Sequence, residues 1–180
     1  MLESLNRNFG LLIGFVLPGF VFLVGLMLLE ESDTFREWPQ PLTQLGQLGG
    51  FLFFVLASTA AGIVLSAVRW VILDNILHAT GLEAPSLDYR NLESKQSSFM
   101  LLVENNYRYY LFYGNTLIGL LLIGVAAISN QRELTTIDVV RWSALCAILF
   151  VASRDSLKRF YTRSRLLMGE APAFRRKARR

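Results

Sequence analysis

Apolar positions in this chain are gathered into long runs, and each run is bounded by charge. The first uncharged run lies between Arg7 and Glu30, and residues 10–29 within it hold fifteen Leu, Ile, Val, Phe or Met side chains. About 20 mostly apolar residues cross the roughly 30 Å of bilayer hydrocarbon, so this run predicts a membrane-spanning helix. It exceeds the apolar part of a cleaved export signal, typically about 7–15 residues, and Leu29-Glu30-Glu31-Ser32 offers no small-x-small cleavage site. A retained span is expected.

No charge occurs between Glu37 and Arg69. The polar, proline-containing stretch 38–47 gives way to a second predicted span over 48–73, which Gly81 and Pro85 then stop. A third span is predicted over 109–129, between Arg108 and Arg132. Upstream of it, Glu104 and Arg108 stand one turn apart in the favourable order, extending one long helix back to about residue 91. In the fourth run only twelve uncharged residues separate Arg141 from Arg154. Both arginines can snorkel, which lengthens the usable span to 137–157.

The fold class expected is therefore all-α: a polytopic membrane protein with four transmembrane helices, the second and third extending into the cytoplasm. Residues 1–153 form the transmembrane domain, and 154–180 a basic cytoplasmic tail overlapping the end of the last helix. Lys and Arg favour the cytoplasmic side of a membrane. Four spans with a cytoplasmic N-terminus put 15 of the 18 Lys/Arg inside, whereas the best three-span arrangement puts 13 there. A bacterial inner membrane, with both termini cytoplasmic, is the expected location.

Composition sharpens this picture at one point. The net charge of +4 conceals a division: residues 1–153 hold 8 Lys/Arg and 12 Asp/Glu, and residues 154–180 hold 10 and 2. The basic end includes Lys158, Arg159 and Arg163, interleaved with Leu157, Phe160, Tyr161 and Leu166, which suggests a helix on the inner leaflet. After Pro172 come Arg175, Arg176, Lys177, Arg179 and Arg180. Each basic residue near an anionic leaflet contributes about 1 kcal/mol, so anionic lipid is the expected partner. A cytoplasmic protein partner is the next choice. Nucleic acid is attracted by the same charge, but less in keeping with a membrane chain.

Small residues mark where helices approach in lipid. Ser58, Gly62 and Ser66 recur every four residues in the second run, and Gly10 and Gly14 stand at the same spacing in the first, ahead of Pro18-Gly19, where a kink is expected. In the third run Gly114, Gly119 and Gly124 stand five apart, a spacing that winds around a helix. A homo-oligomer is expected to use some of these faces.

Three constellations invite a chemical reading. Arg69, Asp74 and His78 lie at the end of the second helix, with Asp74 and His78 one turn apart and able to share a proton. The plainer reading puts Arg69 among headgroups and the other two in water. Tyr107, Arg108 and Tyr110, within a run ending at Tyr113, suit cation–π contact with a ligand, but an aromatic belt at the membrane surface, where a span begins, is the plainer reading. Ser58, Ser66, Asn115 and Thr116 would line a polar path if they faced one cavity. No phosphate-binding glycine loop, zinc-protease helix or nucleophile elbow occurs, and there is one histidine and one cysteine. No cofactor, metal or catalytic residue is expected.

These features favour a non-enzymatic membrane component: an oligomeric scaffold or pore-forming subunit that docks a cytoplasmic partner. Small effectors of bacterial antiviral systems share this layout, as an analogy of architecture alone. The alternative is a small channel or transporter for a neutral or lipid-like substrate.

Overall fold

A computed structural model of the chain describes residues 10, 12–29, 46–130 and 133–169. The basic residues Arg175, Arg176, Lys177, Arg179 and Arg180 lie outside the described residues, as does Arg7. Four helices make up the fold, with no strand among the described residues: α1 Leu12–Leu28, α2 Leu48–Ala79, α3 Glu93–Ser129 and α4 Thr136–Met168. The last three are each long and apolar enough to cross a membrane, and α1 is a shorter apolar helix.

Local sequence explains the ends. Helix α2 stops at Ala79, two residues before Gly81, which adopts the left-handed backbone (φ +86°) that glycine tolerates best. Helix α4 opens with a capping box: the Thr135 hydroxyl accepts from the Asp138 backbone N–H, and the Asp138 carboxylate accepts in return from the Thr135 N–H. Helix α4 then runs unbroken through Arg154 to Met168. The basic segment 154–168 therefore continues α4 rather than turning aside as a separate helix, because Leu157, Ser164 and Met168 are buried against its neighbours.

Arg108 of α3 packs over Gly10, and Asn130 donates to the Leu28 carbonyl, so α1 lies parallel to the 108–130 part of α3. Helices α2 and α4 run the opposite way. The 37 residues of α3 span about 55 Å at 1.5 Å per residue, and α2 and α4 come to about 50 Å each. All three overshoot α1 at the same end.

Glycines set the closest crossings. At Gly19 of α1 an added Cβ would strike the Ser58 carbonyl oxygen of α2, and at Gly62 it would strike the Phe15 carbonyl oxygen of α1. The three glycines of α3 each admit a different neighbour: the Arg69 side chain at Gly114, Val21 of α1 at Gly119 and the Trp142 ring of α4 at Gly124. Five-residue spacing turns each glycine well away from the last, so one helix meets three partners at close range.

Candidate functional site

Helical geometry first separates residues that the sequence sets side by side. Helices α1, α2 and α3 each contain one widened turn with π-helical hydrogen bonding, at Leu12–Val16, Trp70–Asp74 and Val103–Tyr107. Such turns have more residues per revolution than an α-helix, so side chains five apart come onto one face. Each adjoins a polar contact between or within helices.

The widened turn in α2 brings Arg69 and Asp74 together. Arg69 Nη1 lies 3.0 Å from Asp74 Oδ1, with the two side chains only 4% and 15% exposed. The guanidinium carbon sits 4.4 Å above the Tyr110 ring, and the Tyr110 hydroxyl donates to the same Asp74 oxygen. Arg69 Nε is buried without a hydrogen-bond partner, as is Ser153 Oγ close by across Gly114. Arg69, placed among the headgroups by its position in the sequence, is instead drawn into the bundle. A lone buried charge costs several kcal/mol, and here a carboxylate, a π-face and a phenol compensate it.

His78 goes elsewhere. Its Nε2 is 3.5 Å from the Tyr161 hydroxyl and its ring stacks on Tyr161 at 6.5 Å, so Asp74 and His78 serve different partners despite their i,i+4 spacing. Among the described residues no three His, Cys, Asp or Glu side chains form a group that would hold a metal.

The tyrosine run divides by helix face. Tyr107 and Tyr110 turn inward, with Tyr107 against Phe160 at 5.2 Å, whereas Tyr109 and Tyr113 stack with each other at 6.3 Å and Tyr109 is exposed. Glu104 pairs with Arg108 at 3.4 Å. Asn106, buried in the α3 widened turn, accepts from Arg163 Nη1 at 3.5 Å and ties α3 to α4. Arg159 pairs along its own helix with Asp155 at 2.7 Å, and Lys158 is exposed.

A second polar contact joins α1, α2 and α3. Pro18 has no N–H to offer the carbonyl four residues back, that of Gly14. Asn115 Nδ2 donates to that carbonyl at 3.1 Å and also to Ser66 Oγ at 2.8 Å, while Ser66 donates to Gly62 O at 3.0 Å. Neighbouring side chains commonly satisfy the backbone that proline frees in membrane helices. Ser58 is fully buried farther along α2, where its carbonyl lies against Gly19. An added Cβ at Gly14 would meet nothing within 4 Å, so its part in packing is played by its carbonyl rather than by its small size.

Sequence reasoning left Gly19 out of the packing set and gave Tyr161 and Phe160 no role in a site. Gly19 was legible in principle, since it follows a proline in an apolar helix. Tyr161 and Phe160 carried no local signal that separates them from the surrounding basic helix. Compared with protein-family models, curated proteins and solved structures, the chain matches none.

Proposed function

We propose that the chain is a non-enzymatic integral membrane protein with four spans, both termini cytoplasmic, whose overhanging helix ends dock a cytoplasmic partner. Helix α1 lies alongside 108–130 of α3, a stretch of about 33 Å at 1.5 Å per residue, close to the hydrocarbon thickness. That correspondence supports four spans, a reading in which 93–107 lie outside the bilayer.

The observation that carries the docking reading is what the overhang presents. Residues 93–107 of α3 pair with the end of α4: Phe99 meets Phe160 at 6.3 Å, and Lys95 Nζ donates to the Leu167 carbonyl at 2.6 Å. This stalk holds itself together, yet leaves Leu166 81%, Tyr89 59%, Leu101 56% and Met100 49% exposed. Apolar side chains facing lipid need no partner; those facing water mark an interaction surface. The contacts of Asn115 and Ser66 with each other and with backbone favour a packing role for that polar set over a solute path.

The test is a photo-crosslinking amino acid placed at Leu101, Leu166 or lipid-facing Leu121 in cells. A discrete protein adduct at Leu101 and Leu166, with only lipid adducts at Leu121, is expected. Lipid adducts at all three positions would remove the stalk as a docking surface. We further propose assembly into a homo-oligomer, read out as protein mass in mild detergent after correction for bound detergent.

A further inference from the structure

The side of α4 that borders the end of α2 carries two adjoining recesses. One, of about 680 Å³, lies over Ala147, Ile148 and Val151 and ends at Arg154 and Lys158. The other, of about 280 Å³, begins at the same Lys158 and continues past Thr162 and Arg165 beside the turn Gly81–Glu83. Residues 147, 151, 154, 158, 162 and 165 follow one another at helical spacing on one side of α4, so the two recesses form one trough.

The lining changes character along the trough. Its inner part is aliphatic. At Arg154, whose Nη2 donates to the Thr80 carbonyl at 3.4 Å, α4 leaves its uncharged run, and α2 has passed its last exposed aliphatic residue, Ile76. Tyr107 meets Phe160 at 5.2 Å, so the level at which the four-span reading ends the bilayer, near residue 108 of α3, falls close to residue 159 of α4. That puts Lys158 at the headgroup layer. Side chains on α4 lean back toward its N-terminus, which aims Arg165 toward that layer. Asp155 also lines the first recess and pairs with Arg159 at 2.7 Å.

We propose that this trough binds one anionic phospholipid, with an acyl chain along Ala147–Val151 and the phosphate at Lys158. Arg165 and Thr162 hold the distal headgroup, and Glu83 accepts a hydrogen bond from a headgroup hydroxyl. This rests on the membrane reading above and deepens it, replacing diffuse attraction of a basic segment by one built site.

The experiment is native mass spectrometry of the full chain from mild detergent, with phosphatidylglycerol or phosphatidylcholine added. One phosphatidylglycerol per chain should be retained in preference to phosphatidylcholine. Lys158→Ala and Arg165→Ala should each weaken retention about five-fold, the equivalent of about 1 kcal/mol per basic residue. Lys158→Arg should restore it, and Arg90→Ala, which removes an equal charge from an exposed turn, should leave it unchanged. Equal losses in the Lys158 and Arg90 variants would overturn the site in favour of general charge attraction. Equal retention of both lipids would overturn the anionic selectivity, and displacement by glycerol phosphate would show a phosphate site without the acyl component. A carbonate wash of vesicles separates the two readings: if the chain stays in the vesicles but shows no lipid preference, only the trough fails. If it washes off, the membrane reading fails as well.

Discussion

The part of the bundle alongside α1 and the overhanging part beyond it are held together by different means. Alongside α1, helices touch through glycine: Gly19 and Gly62 bring two backbones into contact, and Gly119 takes Val21. Beyond it, aromatic and charged side chains fill the space, with Arg69, Asp74 and Tyr110 at the boundary and Tyr107, Phe160 and Tyr161 above. In the membrane reading proposed above, the difference follows from solvent. Lipid is as apolar as leucine, so burying leucine against leucine there gains little, and close backbone approach with its dispersion contacts takes over. In water the burial of a phenyl ring is itself the driving force.

The sharpest way to break this contrast is at its boundary. Asp74→Ala leaves the Arg69 guanidinium buried without its carboxylate, and a loss of about 3–5 kcal/mol is expected, measured by reversible unfolding in mixed micelles. Replacing both partners by apolar residues, Arg69→Met with Asp74→Leu, should recover most of it, since no charge is then left stranded. A loss below about 1 kcal/mol for Asp74→Ala would mean that Arg69 reaches water or headgroups after all.

Next in size come the glycine crossings. Gly19→Ala and Gly62→Ala each insert a methyl group where another helix's backbone already lies, at an expected cost of about 1–3 kcal/mol in the same assay. Gly14→Ala is the control: nothing lies within 4 Å of the added carbon, so it should be neutral or slightly stabilising, by up to about 1 kcal/mol. Equal effects at all three positions would show that backbone freedom, not close approach, explains these glycines.

What the sequence made legible divides along the same boundary. Runs of apolar residues locate α1 to α4 well, because length and hydrophobicity are local properties. The stripe Ser58-Gly62-Ser66 and the winding glycines of α3 are likewise legible from helical spacing. The pairing of Arg69 with Asp74 was not, because a regular α-helix sets residues five apart about 140° from each other, and only the widened turn Trp70–Asp74 brings these two onto one face. Nothing in Trp-Val-Ile-Leu-Asp announces such a turn, and Tyr110 of α3 meets both members of the pair it creates. The partners of Asn115 were hidden for a different reason. Its acceptor is 101 positions away, and only the folded chain sets the two side by side.

That last contact allows the finest test. If Asn115 replaces the donor that Pro18 lacks, the two residues are energetically coupled. Asn115→Ala should cost about 0.6 kcal/mol, the average for a hydrogen bond between membrane helices, and at most about 1.7. Pro18→Ala supplies an N–H at the position from which an α-helix donates to Gly14 O, so in that background the cost of losing Asn115 should shrink. The Ser66 contact would be all that is lost. A double-mutant cycle isolates the difference from any change in helix propensity, because the propensity term appears on both sides and cancels. An Asn115→Ala cost unchanged by Pro18→Ala would show that the asparagine is held by Ser66 alone, and that the proline's missing donor is met within α1 itself.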